Sequence, residues 1–290
     1  MIGSKLTAYF MAQGHHVAAI TRSSLTSQPQ VSVIAWDPEL NYIEIEKLEG
    51  FDVIIHLAGA DIAHRWSPEY KKKIIDSRVH STRLLCDILQ KLSSRPKLLI
   101  CASAVGFYGN HAPQDFLDES SPRGTGFLAD VCHQWEEGTK PLLHAGIRVV
   151  CMRLGVVLSK YGGALAKMRL PFQLGLGGRL GSGLQMMSWV ALDEIPFVVE
   201  HLIKNKLISG AVNVVSTKAV TNARFTEILG QVLHRPTLFS VPEGAVRFLF
   251  GEMGQDLLLE GAHVMPRRLM ESGYRFRIPE LIDALEKALE

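Results

Sequence analysis

A chain of 290 residues, 47% hydrophobic and 21% charged, is long enough to bury one large α/β core, with or without an appendage. A formal net charge of +2 gives no basic stripe of the kind nucleic acid requires, so Lys71–Lys73 reads as the solvated face of a helix and nucleic acid is not an expected partner. The longest apolar stretch, 142–158, is broken by His144, Arg148 and Arg153, and no signal peptide precedes the first helix, so no membrane is expected either.

Ile2, Leu6, Tyr9 and Phe10 fall on one face of a helix that Gly14 would end, and 17–20 then reads as a short buried strand. A helix followed by a strand in this way has no strand ahead of it, and one is expected to be missing upstream of Met1. Further β-branched runs at 31–36, 52–57, 97–102 and 147–152 have the continuous apolar character of strands covered on both faces. Helices are predicted near 68–92, where Ser67 is a good N-cap and Pro68 suits the first position, and near 126–145. The alternation predicts an α/β fold with a doubly wound parallel sheet, Rossmann-like, that holds ligands at the carboxyl ends of its strands. The four cysteines, 86, 101, 132 and 151, lack metal-type spacing and sit among apolar neighbours, which suits reduced core residues of a cytoplasmic protein and no metal.

From about residue 159 the glycines thicken, a strand is predicted at 211–215, and shorter helices near 222–233, 242–252 and 278–289. We expect residues 1–158, with 188–220 returning to them, to form a dinucleotide-binding domain, and 159–187 with 221–290 to form a smaller substrate or C-terminal lobe. In such folds the last glycine of the phosphate loop starts the first helix, and the residue about 20 positions on meets the adenosine ribose. Gly3 and Arg22 fit that spacing. An arginine within Thr21-Arg22-Ser23 suits a 2′-phosphate, where an acidic residue would suit a free hydroxyl, so the expected cofactor is NADP. The alternative is an arginine at a surface turn.

Five segments occur in a telling order: "HLAGA" at 56–60, "CASAVGFYG" at 101–109, "GSGLQMMSWVALDEI" at 181–195, "GAVNVVS" at 210–216 and "MPRRLMESGYRF" at 265–276. Together they resemble the extended short-chain dehydrogenase/reductase family, in particular its nucleoside-diphosphate-sugar epimerase group with an extra C-terminal domain. The resemblance implies that Met1-Ile2-Gly3 ends a Gly-x-x-Gly-x-x-Gly loop, and that Leu57, Ala58, Gly59, Ala102, Leu154 and Gly155 lie beside the cofactor. It also implies a small-molecule substrate of the sugar-nucleotide class. Family enzymes use a Tyr-x-x-x-Lys pair on the helix after the serine strand, because a phenol needs a nearby cation to act as a base at neutral pH. Here that helix reads "GFLADVCHQWEEG", which sets Leu128 and Cys132 at the two places, so the usual proton relay is absent.

The remaining candidates are fewer. Ser103 is placed to polarise a substrate oxygen or to satisfy local backbone groups, and Tyr108 to donate a proton or to line the pocket. Arg78 shares the apolar stripe of Ile75, Val79, Thr82, Leu85 and Leu89, where a cation needs a partner; the resemblance puts it where relatives carry an asparagine near the active site. Asp61, Arg65 and Trp66 lie on a loop at the ligand-binding edge, where the arginine would clamp a phosphate or carboxylate and the indole stack on a ring, or the loop would be merely solvated. Gln185 and Trp189 fall on the family's substrate loop, though Trp189 also suits a core. The leading expectation is hydride transfer to or from a carbonyl or hydroxyl carbon. The rival is a catalytically silent NADP-binding sensor or scaffold. The sequence carries no signal of oligomeric state.

Overall fold

A computed structural model describes residues 1–22 and 31–290. The first helix, α1 (Ile2–Ala12), leads into β1 (Ala18–Thr21), β2 (Ser32–Asp37) and β3 (Tyr42–Ile43), followed by β4 (Val53–His56). The predicted helix 68–92 is three pieces: α2 (Pro68–Ile75), a π-turn (Asp76–His80) and α3 (Ser81–Lys91). Ser67 caps α2 as expected, its Oγ accepting the Tyr70 amide. Then come β5 (Leu98–Ala104), β6 (Phe116–Leu117), α4 (Phe127–Glu137), α5 (Pro141–His144) and β7 (Arg148–Leu154).

The strands β4, β5 and β7 run parallel, and β12 (Gly210–Val214) joins β7, giving the order β12-β7-β5-β4. The continuous apolar character of these strands follows from helices on both faces. Leu99, Cys101, Val149 and Cys151 pack with Leu85, Leu89 and Trp135 of α3 and α4. Leu98, Ile100, Val150 and Met152 pack on the other side with Leu6 and Phe10 of α1 and with Val198, Val199 and Leu202 of α7 (Ile195–Lys204). This is the doubly wound α/β fold expected from the sequence.

The remaining strands form a separate piece. β1 pairs in parallel with β2, and β3 turns back on β2. Ala18 and Ile20 of β1 enter the same core as Ile54 of β4, while Val17 enters the opposite core with Val53 and Ile55. β1 and β4 therefore lie in one layer with matching alternation, yet no ladder joins them. In the doubly wound order 3-2-1-4-5-6 the place between them belongs to the innermost strand, and no described residue fills it.

Beside this break, Trp36 and His56 meet edge to face at 5.5 Å, each with a buried ring nitrogen lacking a described partner. Burial holds the His56 pKa down to about 4. The unfolded chain, with an ordinary histidine near 6.5, binds the proton first, so stability present above pH 6.5 is lost as pH falls toward 4. His56 contributes about 3 kcal/mol to that loss, from 1.36 kcal/mol per unit. Urea unfolding of wild type and His56→Phe at pH 7 and pH 4.5 is expected to show a shallower pH dependence in the variant.

The later chain wraps the carboxyl side of the sheet. β8 (Val156–Leu158) pairs with β11 (Trp189–Ala191), and α6 (Gly163–Gln173), α8 (Asn222–Leu233) and α12 (Leu281–Leu289) enclose Trp189, Phe225, Leu229 and Leu285. The segment 262–278 then returns across the molecule. β15 (His263–Val264) pairs with β6, the Asn213 amide donates to the Met265 carbonyl, and the buried Glu194 carboxylate accepts the Arg277 and Ile278 amides. No helix among the described residues is long and apolar enough to cross a membrane.

All four cysteines are buried and unpaired. Cys101 and Cys151 are register partners on β5 and β7, and burial pushes Cys86, Cys132 and Cys151 up to about 12. At pH 8 the thiolate fraction is then about a thousandfold below that of a free cysteine. An aromatic disulfide reagent is expected to titrate no thiol of the native protein within minutes and all four in denaturant.

Candidate cofactor and substrate site

The carboxyl ends of β4, β5 and β7 carry the loops 57–66, 104–109 and 154–156, and the π-turn lies over the first of them. Ala60 is held twice: its amide donates to Ser77 Oγ at 2.9 Å, and its carbonyl accepts Arg78 Nη2 at 2.9 Å. The Arg78 guanidinium lies flat on Gly59, where a Cβ would come within 3.1 Å of Cζ, and 5.3 Å from the Trp135 ring. Its other contacts, at 3.4 Å, are to the Ile74 carbonyl and Ser77 Oγ. Arg78 makes no ion pair with a described carboxylate, and burial pulls its pKa down. A half-buried cation satisfied only by neutral oxygens is costly to keep, which makes it a receptor for an anionic or hydroxyl-bearing ligand.

Around Arg78 the structure gathers several of the expected cofactor residues. Leu57, Ala58 and Gly59 remain accessible at the end of β4, and Gly3 of α1 sits over Leu57, 3.9 Å separating its Cβ position from Cδ1. Leu154 and Gly155 are half-buried at the end of β7, while Ala102 is buried within β5. Arg22, just past β1, is 69% exposed and, among the described residues, is tied to Glu39 at 3.5 Å, a pairing worth little in water. Thr21 is half-buried, and Ser23 lies outside the described residues.

Ser103 and Tyr108 belong to a different, enclosed arrangement. Ser103 Oγ donates to Glu136 Oε1 at 2.7 Å. Arg153 grips the same carboxylate with Nε and Nη2, both at 2.8 Å, and donates through Nη1 to the Tyr108 hydroxyl at 3.0 Å. The Tyr108 hydroxyl in turn donates to Asn213 Oδ1 at 2.7 Å, and the Arg153 guanidinium stacks 3.4 Å over the Phe107 ring. Tyr108 has no exposed surface and Ser103 almost none. Burial raises the phenol's pKa, against the pull of Arg153. Sequence reasoning missed Glu136 and Asn213 and took Arg153 only as an interruption. The available signal was an arginine in an otherwise apolar strand, an asparagine in another, and an acid beside Trp135, since buried charges come in pairs.

The loop candidates divide. Asp61 bonds Lys167 of α6 at 2.8 Å, and the Arg65 side chain is exposed with no ion pair or hydrogen bond to another described residue. Trp66 is buried against Phe127, its Nε1 donating to the Ile62 carbonyl. Gln185 donates to the Leu180 and Leu258 carbonyls, and Trp189 is fully buried with Nε1 on the Lys218 carbonyl. The three have their polar side-chain donors spent within the protein, whereas Arg65 keeps its own. On α4, Leu128 and Cys132 pack on Gly106, whose Cβ position is 3.3 Å from Leu128 Cβ and 3.9 Å from Cys132 Sγ.

Comparison with known proteins agrees with this architecture. The model of the NAD dependent epimerase/dehydratase family matches residues 1–214, and a domain family of unknown function, DUF1731, matches 241–288. An epimerase family protein of Mycobacterium bovis is 39% identical over 286 residues, covering 98% of this chain and 93% of its own. The crystal structure of human epimerase family protein SDR39U1 with NADPH superposes with a TM-score of 0.90 at 33% identity, over 100% of this chain and 96% of that one. The crystal structure of the nucleoside-diphosphate sugar epimerase from Corynebacterium glutamicum gives 0.80 at 31% identity, over 100% of this chain and 56% of that one. With its sheet order, its strand-end loops and relatives matched along almost its whole length, the chain belongs to the NAD dependent epimerase/dehydratase family.

Proposed function

We propose that the chain binds NADPH along the carboxyl ends of β1, β4, β5 and β7 and serves hydride transfer to or from a carbonyl or hydroxyl carbon. The observation that carries the reading is Arg78, a guanidinium without a carboxylate, laid on Gly59 at the strand ends. The likeness to the human relative, whose structure contains NADPH, supports it. The residues fit the cofactor: Arg22 stands free enough to leave Glu39 for a 2′-phosphate, and Leu57 to Gly59 present little bulk. NADPH, when bound, supplies the hydride. Arg78 orients polar groups brought to Gly59, and Arg65, a cation with no ion pair among the described residues, is offered to a phosphate or carboxylate of the substrate, which suits the sugar-nucleotide class. Ser103, almost fully buried and with its proton committed to Glu136, has only acceptor capacity left for a substrate hydroxyl and gives no hydrogen bond to a carbonyl while that bond persists. Enclosed, reduced thiols favour a reducing compartment such as the cytoplasm.

A second reading, a protein that binds NADPH and turns over nothing, is favoured by the enclosure of Tyr108 and the commitment of both hydroxyl protons. Supplying NADPH with ketones, quinones and sugar nucleotides separates the two: turnover lost in Ser103→Ala supports the enzyme, and saturable binding without turnover supports the second reading. In fluorescence titrations Arg22→Ala is expected to weaken NADPH about tenfold to a hundredfold, the worth of a charge-assisted phosphate contact, and to leave NADH unchanged. An unaltered NADPH to NADH ratio would remove Arg22 from the cofactor site.

A further inference from the structure

We propose that the substrate of this site is a carbonyl or carbinol compound with one anionic group on an apolar, hydroxyl-poor body, such as an aromatic keto acid, and not a sugar. The inference rests on the cofactor reading above and narrows its substrate: the anion for Arg65 stays, the sugar ring does not. The wall beside Arg78 carries it. Ile74, whose carbonyl accepts Arg78 Nη1, belongs to an apolar cluster with Trp66, Val131 and Met253. Ile62, Phe127, Leu128 and Leu257 pack around that cluster, and all four are only half-buried. They come from three stretches: the loop after Gly59, the start of α4 and a second π-turn (Gln255–Leu259). Leu128 also reaches Gly106 just past β5, so apolar surface runs from the end of β5 across α4 to the π-turn.

Polar side chains along this wall are largely spent, and a sugar would need them. The Trp66 indole donates to the Ile62 carbonyl, the Tyr70 hydroxyl to the Asp61 carbonyl, and the Gln185 amide to the Leu180 and Leu258 carbonyls. A pyranose brings several hydroxyls, and each one set against leucine or phenylalanine loses its water without a replacement. A flat or branched apolar body has no such loss, and it covers Leu257, Leu258 and Leu259, none of which the fold buries fully. The anionic group follows from Arg65. Its Nε lies 3.9 Å from the Cβ position of Gly251, close to the π-turn, and Glu252 next to that glycine is taken by Lys71 at 2.5 Å. The guanidinium thus stands beside the apolar wall without a carboxylate among the described residues, and a carboxylate or phosphate answers it with two parallel bonds.

The test is isothermal titration calorimetry on the full chain, alone and with NADP+, using phenylpyruvate, its neutral counterpart phenylacetone, pyruvate and UDP-glucose. Phenylpyruvate is expected to bind about tenfold or more tighter than each of the other three. Arg65→Ala is expected to cost phenylpyruvate about tenfold and to bring it level with phenylacetone. Leu257→Ala is expected to weaken both aromatic probes about fivefold to tenfold, and Leu257→Met, which keeps the volume, to leave them as in wild type. No saturable binding of phenylpyruvate at millimolar concentration in either condition, tighter binding of UDP-glucose, or phenylpyruvate affinity unchanged in Arg65→Ala and Leu257→Ala would overturn the proposal. NADPH titrated by itself reads the cofactor proposal, so the failure of one is told apart from the failure of the other.

Discussion

Arg153→Met is expected to remove about 3–5 kcal/mol of unfolding free energy, the cost of stranding a buried charge. The Arg153 side chain is 6% exposed and that of Glu136 15%, so water does little to screen either. In the variant the Glu136 carboxylate keeps the Ser103 hydroxyl as its donor and loses both guanidinium bonds, while Tyr108 loses a donor and Phe107 the cation stacked on its ring. The double variant Arg153→Met/Glu136→Leu is expected to recover more than half of the loss, because an apolar pair of similar volume carries no charge to desolvate. Chemical denaturation of wild type, both single variants and the double variant at pH 7 closes the cycle. A single-variant loss below 1 kcal/mol would mean that the pair behaves as a surface one.

Gly155→Ala is expected to cost about 3 kcal/mol, at the upper end for overpacking, because the obstruction is backbone. A Cβ at this position would lie 2.4 Å from the Ser188 carbonyl oxygen and 2.7 Å from Val215 Cγ1. The Ser188 carbonyl accepts the Val156 amide at 2.8 Å, so moving it loosens the start of the β8–β11 ladder. Faster amide exchange in Val156–Leu158 and Trp189–Ala191 should accompany the lower denaturation midpoint. Gly244→Ala provides the contrast: it lies in α9 (Glu243–Phe250) with nothing within 4 Å of its Cβ position, and is expected to stabilise by up to about 1 kcal/mol. If the two variants shift stability alike, close approach is not what reserves position 155 for glycine.

Most of the sheet was legible because its strands carry the apolar runs that two-sided burial demands. The expected 97–102 and 147–152 differ from β5 and β7 by a residue or two at their ends, and 222–233 coincides with α8. The helix 68–92 was legible as one periodic stripe, but not its π-turn, because one extra residue in the ladder leaves the stripe of Ile75, Val79, Thr82 and Leu85 almost undisturbed. Two-residue strands such as β6 and β15 have no period to detect; distant pairing alone defines them. At the site, Arg78 declared itself as a cation on an apolar face. Ser103 and Tyr108 were read for their chemistry, whereas their geometry is set by Glu136, Arg153 and Asn213, residues far apart in the chain that only the tertiary fold assembles.

The return of segment 262–278 has a temporal consequence. On the ribosome, every strand of the parallel sheet emerges before this segment does, leaving the edge of β6 without β15 and Glu194 without the Arg277 and Ile278 amides. The nascent portion that carries the parallel sheet therefore spends the interval between emergence of Val214 and of Ile278 with open polar ends and unshielded apolar surface. For that stretch of translation the exposed surface favours aggregation over folding, and slow codons between the two points would lengthen its exposure.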